Sequence, residues 1–428
     1  MSTRYRTLAE ALAWQGSSHG RVIDLGLERV RTVARAMGLL NPSCPVVTIA
    51  GTNGKGSTAT ALAALLRACG MHVGLFASPH LVRYNERVQL DGVPVGDALL
   101  LAAFERIEAA RGATTLTFFE YSTLAALQVF RDAQVGAIVL EVGLGGRLDA
   151  TNILDADVAV LCSLGFDHRD LLGDTLEQIG AEKAGIFRPQ RPVVLGSTLM
   201  PQSVLAHAQA LGCPLWRPGH EFSIRIDGDG YGGQSWDYRS ARCELRGLPA
   251  PALPGAIQYS NAASALTALT LLEVPGACDA TVVANALRVM RLPGRLQRVP
   301  GDVEWILDVA HNEPAAQVLA QALAARPVAG RTIAVASMLS DKDAAAITRA
   351  LDGAIDLWIL ASLVQEPRGL SAEALQERLP PLRGLVERAG GVAEACARAR
   401  ALARSGDRVV VFGSFHVVGP ALEWLGIY

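Results

Sequence analysis

The chain has 428 residues, of which 50% are hydrophobic and 19% charged, which predicts two or three folded domains rather than extensive disorder. Lysine and arginine total 39 and the acidic residues 41; with only 5% aromatic residues, this balance argues against a nucleic-acid partner. The N-terminus has no apolar leader, and the seven cysteines include no C-x-x-C pair. We therefore expect a cytoplasmic protein with no membrane partner, in which the cysteines are reduced.

The first half of the chain alternates short apolar segments with amphipathic ones. Strands are predicted at 46–50, 73–77, 137–142, 158–164 and 192–196. Helices are predicted at 56–69, 97–111, 119–132, 175–186 and 201–211. Nearly continuous apolar strands that alternate with helices predict a parallel β-sheet covered on both faces.

The pattern changes after this sheet and then returns. Residues 216–253 contain aromatic residues in short alternating runs among glycines, which predicts a small antiparallel appendage, and two helices follow. A Leu-Pro-Gly-Arg segment at 292–295 then indicates a boundary, beyond which strands and helices alternate again. We therefore predict an α/β protein: an N-terminal parallel-sheet domain at 1–295, which includes the appendage, and a smaller Rossmann-like α/β domain at 296–428.

A glycine-rich segment lies between the first predicted strand and the first predicted helix of this sheet. It reads Gly51-Thr52-Asn53-Gly54-Lys55-Gly56-Ser57-Thr58. Backbone N–H groups in such a turn bind phosphate oxygens, the helix N-terminus adds positive potential, and the lysine reaches the β- and γ-phosphates. The spacing departs from the usual P-loop pattern because Gly56 separates Lys55 from Ser57. The segment predicts a phosphate-binding loop, which makes the first domain one of the P-loop, ATPase type.

Two further polar segments follow predicted strands of the first domain. Glu141 closes one strand and precedes a glycine-rich stretch at 143–152, and Asp167 and His168 follow another strand. Ligands of an open parallel sheet bind at the carboxyl ends of its strands, so these side chains are expected to face the same crevice as the phosphate loop. A carboxylate at this edge suits Mg²⁺, which prefers oxygen ligands.

Other candidate residues lie later in the chain. Asp308 and His311 follow a predicted strand of the second domain and indicate another ligand-binding edge, and Arg295 at the domain boundary is a candidate phosphate contact. Lys183 lies in a predicted helix, where pattern alone indicates an ordinary surface lysine.

Together these motifs resemble those of the Mur ligase superfamily, in the branch of the bifunctional folylpolyglutamate synthases/dihydrofolate synthases. The resemblance covers nearly the whole chain. Its most specific parts are GTNGKGST at 51–58, SPHL at 78–81, EVGLGGRLDATN at 141–152, DH at 167–168, EKAGIFR at 182–188, LPGR at 292–295 and LDVAHN at 307–312. It implies an ATP-binding central domain at 1–295 that also carries folate- and pteroate-binding segments, and a glutamate-ligase domain at 296–428.

The resemblance also implies the residues of the site. The ATP-binding residues would be Thr52, Asn53, Gly54, Lys55, Gly56, Ser57, Asn261, Arg295, Asp308 and His311. The ligands of Mg²⁺, with two ions expected, would be Ser78, Glu141 and His168. General phosphate-loop chemistry favours Ser57 as the metal-binding hydroxyl, whereas the inserted Gly56 favours Ser78. Lys183 would be N-carboxylated and would organise the second ion. Lys55, His168 and Lys183 would be the catalytic residues.

Two segments resemble those that bind 7,8-dihydropteroate in the bifunctional enzymes. The substrate-binding residues would be Asp24, Leu25, Gly26, Leu27, Thr117, Phe118, Phe119, Glu120 and Leu148. For Phe118 and Phe119 the alternative is core packing at a helix start, which we expect for one of the two.

The resemblance thus implies a monomeric ligase that uses ATP to join L-glutamate to dihydropteroate and to tetrahydrofolates through an acyl phosphate. A monofunctional folylpolyglutamate synthase is the nearest alternative. A cell-wall Mur ligase is a weaker one, because the phosphate loop is reached already at residue 51. A non-enzymatic, ATP-gated binding module would need the loop but no set of metal ligands.

Overall fold

The computed structural model describes residues 5–428 and divides into two compact units. One unit contains most of the chain up to residue 290, and the other contains 291–428 with the short segments 228–233 and 253–258. None of the helices within the described residues has the length and hydropathy needed to cross a bilayer.

The strands and helices are numbered here in chain order. The strands are β1 (Val46–Ala50), β2 (Val73–Phe76), β3 (Val88–Leu90), β4 (Val93–Pro94), β5 (Ala137–Glu141), β6 (Val158–Leu161), β7 (Val193–Leu195), β8 (Leu215–Trp216), β9 (Phe222–Ile226), β10 (Trp236–Ser240), β11 (Glu244–Leu248), β12 (Gln297–Val299), β13 (Glu304–Asp308), β14 (Thr332–Ala336), β15 (Leu357–Ala361), β16 (Leu385–Ala389) and β17 (Arg408–Phe412). The helices are α1 (Leu8–Ser17), α2 (Glu28–Met37), α3 (Lys55–Ala68), α4 (Asp97–Arg111), α5 (Phe118–Asp132), α6 (Arg169–Leu172), α7 (Leu176–Ala184), α8 (Gln202–Ala210), α9 (Ile257–Leu271), α10 (Ala280–Val289), α11 (Glu313–Ala324), α12 (Ala344–Leu351), α13 (Ala372–Glu377), α14 (Val392–Leu402) and α15 (Phe415–Leu425). Short 3₁₀ helices lie at Tyr84–Arg87, Ala150–Ile153 and Asp352–Ala354.

An eight-stranded sheet forms the centre of the first unit, in the order β4-β3-β2-β5-β1-β6-β7-β8. The six strands from β2 to β8 in this order run parallel, and β3 and β4 add an antiparallel edge. All five residues of β1 are buried, as expected for an apolar strand in the middle of a parallel sheet. Helices α1, α2, α4 and α5 contribute one core cluster next to β5, and α7 and α8 contribute another next to β6 and β7.

The remaining strands form two smaller sheets. Strands β9–β11 form a three-stranded antiparallel sheet, which is the predicted appendage. The second unit has a six-stranded sheet in the order β12-β13-β17-β14-β15-β16, parallel except for β12. The predicted α/β class, with one parallel-sheet domain and a smaller second one, is confirmed.

Candidate active site

Four neighbouring parallel strands of the first unit, β2, β5, β1 and β6, end at the same edge of the sheet. Ser78 follows β2, Glu141 ends β5, the phosphate loop follows β1, and His168 follows β6. Adjacent strands lie about 4.8 Å apart, so the topology gathers these four chain segments into a strip only a few strands wide. This is the edge at which an open α/β sheet binds its ligands.

Hydrogen bonds hold the phosphate loop against the segment that follows β6. Thr52 donates its backbone N–H to the carbonyl of Ser163 at 2.7 Å, and its hydroxyl lies 3.0 Å from the carbonyl of Gly165. Gly54 has φ +88°, and a Cβ atom there would lie 2.8 Å from Oδ1 of Asn261, so only glycine fits this turn. The structure thereby places Asn261, an expected ATP contact, next to the loop.

The second half of the loop forms the first turn of helix α3. Lys55 is its first residue, and its Nζ donates to the carbonyls of Gly51 and Thr52 at 3.2 and 3.1 Å. Gly56 and Ser57 are buried in the first turn of the helix. Asn53, which accepts a hydrogen bond from Ser163 Oγ at 3.1 Å, completes the contacts of the loop with the β6 edge.

The candidate metal ligands bring oxygen donors together at two adjacent strand ends. The backbone N–H of Ser78 donates to Oε2 of Glu141 at 3.0 Å, and the Glu141 side chain is buried. His168 adopts a left-handed backbone conformation, with φ 50°, directly before α6. That conformation is uncommon for residues other than glycine and is a recognised sign of a functional position. Among residues 5–428, no three His, Cys, Asp or Glu side chains form a metal-binding group by themselves.

Lys183 is not a surface residue, so the interpretation of it from the helical pattern alone is wrong. Its side chain is 5% exposed, and its Nζ donates to the carbonyl of Gly51 at 3.0 Å, at the start of the phosphate loop. Burial, aided by repulsion from Lys55, lowers the pKa of Lys183 to about 7. A buried amine that is neutral near physiological pH is a nucleophile, which an exposed lysine is not.

The glycine-rich stretch after β5 is folded around a buried carboxylate. Asp149 accepts hydrogen bonds from the backbone N–H groups of Gly143 and Leu144 at 3.0 and 2.9 Å, and from the Thr151 hydroxyl at 2.6 Å. These bonds fix the loop in which Leu148, the expected substrate contact, is half-buried.

The two predicted substrate segments are connected by one arginine that the sequence did not single out. Arg29 Nη1 lies 2.7 Å from Oδ2 of Asp24, and Arg29 Nη2 lies 3.3 Å from Oε1 of Glu120. His19 adds a contact of 3.1 Å to Asp24. Glu120 and Thr117 also form a capping box that starts α5. Arg29 therefore links Asp24 to Glu120, and Glu120 is bonded to Thr117 within its own segment. Leu25, Gly26 and Leu27 lie between Asp24 and the start of α2.

The two phenylalanines of the second segment have different surroundings. The ring of Phe119 lies 5.7 Å from that of Phe76 at the end of β2, and a Cβ on Gly143 would come within 2.5 Å of it. Phe118 packs edge-on against Tyr84 at 5.7 Å. Both are half-buried. Through Phe119, the predicted substrate segment touches both the sheet edge and the glycine-rich loop.

A buried arginine, Arg87, was also missed. It ends the 3₁₀ helix at Tyr84–Arg87, and its guanidinium lies 5.5 Å from the centre of the Phe118 ring. Its carbonyl accepts the N–H of Ala77, the residue before Ser78, at 2.9 Å. Nothing local in the sequence distinguishes Arg87 from the many other arginines.

The second unit brings together its own three candidate residues. Asp308 ends β13 and accepts the backbone N–H groups of Leu296 and Ala310, each at 2.8 Å. Desolvation raises the pKa of Asp308, and Arg295 acts in the opposite direction. Arg295 and His311 both lie near the Phe415 ring, with the guanidinium of Arg295 5.2 Å from its centre.

Comparison with known proteins extends over both units. The family model for the Mur ligase middle domain matches residues 49–269, and that for the glutamate ligase domain of Mur ligases matches residues 294–415. The chain is 44% identical to the dihydrofolate synthase/folylpolyglutamate synthase of Escherichia coli K12 over 418 residues, which cover 97% of this chain and 95% of that protein. It is 39% identical to the protein of the same name from Haemophilus influenzae, with 96% of both chains covered.

Solved structures agree with these relatives. E. coli FolC in complex with DHPP and ADP has a TM-score of 0.92 and 42% identity, covering 100% of this chain and 99% of that one. The bifunctional folylpolyglutamate synthase/dihydrofolate synthase of Yersinia pestis complexed with AMPPNP and Mn ion has a TM-score of 0.90 and 41% identity, with both chains fully covered. The chain therefore belongs to the Mur ligase family, among the ATP-dependent ligases named dihydrofolate synthase/folylpolyglutamate synthase.

Proposed function

We propose that this enzyme adds L-glutamate to 7,8-dihydropteroate, giving dihydrofolate, and to reduced folates, giving polyglutamates. The observation that carries this proposal is the contact between the second substrate segment and the sheet edge: Phe119 packs on Phe76 at the end of β2 and on Gly143 after Glu141. A pterin bound against this segment would lie beside the phosphate loop. The E. coli relative binds DHPP and ADP together, which supports the same pair of ligands here.

The chemistry begins with a carboxylate, which is a poor electrophile. A carboxylate oxygen of the acid attacks the γ-phosphorus of ATP, the bond to the β–γ bridging oxygen breaks, and ADP leaves with the electron pair. The amine of glutamate then attacks the acyl carbon of the acyl phosphate, loses a proton, and inorganic phosphate departs. Lys55 and the N–H groups of the phosphate loop hold and neutralise the phosphates, and the protein's main contribution is positioning.

The residues at the sheet edge fit a magnesium site, because the buried Glu141 carboxylate and the Ser78 hydroxyl supply the oxygen donors that this ion prefers. We assign Ser78, Glu141 and His168 as the residues that hold two Mg²⁺ ions, which when bound neutralise charge on the transferring phosphoryl group. We further propose that Lys183 is N-carboxylated, since its amine is buried beside Gly51 at this same edge. A carbamate would replace a repulsive ammonium with two oxygen donors.

The two units divide the work in this proposal. Residues 1–295 bind ATP, the metal ions and the pterin, and Arg295 at the end of this range is a nucleotide contact. Residues 296–428 form the glutamate-ligase domain, in which Asp308 and His311 are further nucleotide contacts. We expect a cytoplasmic monomer that acts on small molecules alone.

The test is the reaction itself. Purified protein with ATP, Mg²⁺ and L-glutamate should release ADP when dihydropteroate is added, and the product should be dihydrofolate by mass. A parallel reaction with tetrahydrofolate should give the diglutamate. Product with tetrahydrofolate but none with dihydropteroate would identify a monofunctional folylpolyglutamate synthase. If neither acid caused ADP release, the proposal would be contradicted.

A further inference from the structure

Arg87 carries a positive charge into the interior of the first unit, where the carboxylates of Glu141 and Glu86 act on it without a direct ion pair. The residue is 9% exposed, and within residues 5–428 its guanidinium forms no ion pair. Its Nε donates to Nδ1 of His80 at 2.8 Å, and its carbon lies 5.8 Å from the centre of the Tyr84 ring and 5.5 Å from that of Phe118. Burial lowers the pKa of Arg87, but an arginine remains charged at any physiological pH.

The remaining donors of Arg87 are available to a ligand. Nη1 and Nη2 make no hydrogen bond to the described residues, and neither is sealed from solvent. A buried charge that makes no direct ion pair is unfavourable, and a ligand that supplies the opposite charge at contact distance relieves this cost. The guanidinium plane and its parallel N–H bonds match a carboxylate in particular.

The position of Arg87 identifies that carboxylate. The guanidinium lies over the ring of Phe118 in the predicted substrate segment, and the carboxylate of Glu141 acts on its charge more strongly than that of Glu86 does. Its carbonyl is bonded to the residue before Ser78, so it also borders the proposed metal site. The group that must lie between a pterin-bearing substrate and the metal site is the carboxylate that becomes the acyl phosphate.

We propose that Arg87 binds the reacting carboxylate of the acid substrate and aligns it for attack on ATP; this inference rests on the proposed function. The arginine keeps its proton throughout. It holds one carboxylate oxygen while the other forms the bond to phosphorus, and it remains next to the acyl carbon when glutamate attacks.

Equilibrium binding tests this role without turnover. In the presence of saturating ADP, the affinities of dihydropteroate and of its primary carboxamide are measured for the wild type, Arg87→Met and Arg87→Gln. The wild type should prefer the acid, and both variants should lose roughly 10- to 100-fold of that preference, with affinity for the amide nearly unchanged. Arg83→Met, an exposed arginine next to the same 3₁₀ helix, should keep the wild-type preference.

The amide serves as an internal measure of an intact pocket, and Arg87→Gln covers the case in which the methionine variant does not fold. A variant that binds the amide normally and still prefers the acid overturns the inference, as does a loss of ADP affinity in place of acid affinity. A wild type that binds neither pterin overturns the proposed function as well. A wild type that binds both equally overturns only the role of Arg87.

Discussion

Arg29 and Glu120, 91 residues apart in the chain, form an ion pair in which Nη2 lies 3.3 Å from Oε1. The same guanidinium contacts the Asp24 carboxylate and, through Nη2, the Asp24 carbonyl. Arg29 thereby joins helix α2 to the start of helix α5, so the two segments expected to bind the pterin are held next to each other. Arg29 acts as a positioning residue, because both carboxylates that it holds belong to those segments.

The first prediction follows from this pairing. Arg29→Met should raise the KM for dihydropteroate by about tenfold, the scale of a lost charge-assisted hydrogen bond, and leave the KM for ATP within about twofold. Arg29→Lys, which keeps the charge but cannot bridge two carboxylates, should fall in between. Arg35→Met, an exposed arginine on the same helix, is the matched control. Equal increases in both KM values would show that Arg29 only stabilises the fold.

The second prediction concerns Lys55. Lys55→Ala should lower kcat by roughly 10³-fold or more, because it removes positive charge from the transferring phosphoryl group. The thermal unfolding midpoint should change little, since the Lys55 amine donates only to carbonyls of its own loop. Arg67→Met removes a cation at the other end of α3 and should leave turnover unchanged. Near-normal ADP release by a folded Lys55→Ala enzyme would remove the loop from the mechanism.

The local parts of this fold could be read from the sequence because they depend on neighbouring residues. Strand β1, its glycine turn and helix α3 lie within one span, 46–68, and match the prediction to within one residue. The rule that parallel sheets bind ligands at the carboxyl ends of their strands predicted that the functional segments lie at one edge, but not the order of the strands that carry them.

Elements whose residues oppose the expected pattern were missed. Strand β16 lies at the edge of its sheet and has only one fully buried residue. Its sequence is therefore polar enough to resemble that of a loop. Helix α15 contains Pro420, which argues against a helix unless tertiary packing compensates. The contacts of Arg29 and Arg87 also could not be predicted from the sequence. A single sequence gives no signal for an ion pair 91 residues apart or for a guanidinium stacked on a distant phenylalanine.

The third prediction concerns Glu141 and the metal. Glu141→Gln should raise the Mg²⁺ concentration for half-maximal activity by about 10- to 100-fold or more, because even residues that only orient metal ligands contribute this much to affinity. Mn²⁺ binding measured by electron paramagnetic resonance should weaken in parallel, independently of turnover. Glu28→Gln, at an exposed position on α2, should change neither value. Unchanged Mn²⁺ affinity in a folded Glu141→Gln enzyme would exclude this carboxylate as a ligand.

The fourth prediction is that carboxylation of Lys183 depends on pH near neutrality. Only the neutral amine reacts with CO2, and a pKa of about 7 makes Lys183 mostly neutral at pH 8 and mostly protonated at pH 6. The neutral fraction rises about tenfold over this range, and carbamate formation also releases a proton. At a fixed concentration of dissolved CO2, the carbamate should therefore increase by about tenfold or more from pH 6 to pH 8 while the site is unsaturated, whereas an ordinary lysine would remain almost unmodified at both.

The chain makes this measurement simple because it contains only three lysines, at positions 55, 183 and 342. With ¹³C-labelled CO2, the wild type should show a carbamate resonance that is absent from Lys183→Met. A second carbamate resonance, from the terminal amine, would be present in both proteins. Activity of the CO2-depleted enzyme should recover in step with that resonance when CO2 is restored at pH 8, because an ammonium next to the metal site repels the ions that a carbamate attracts. Full activity with no carbamate resonance would show that Lys183 acts as an unmodified amine, hydrogen-bonded to the phosphate loop through Gly51.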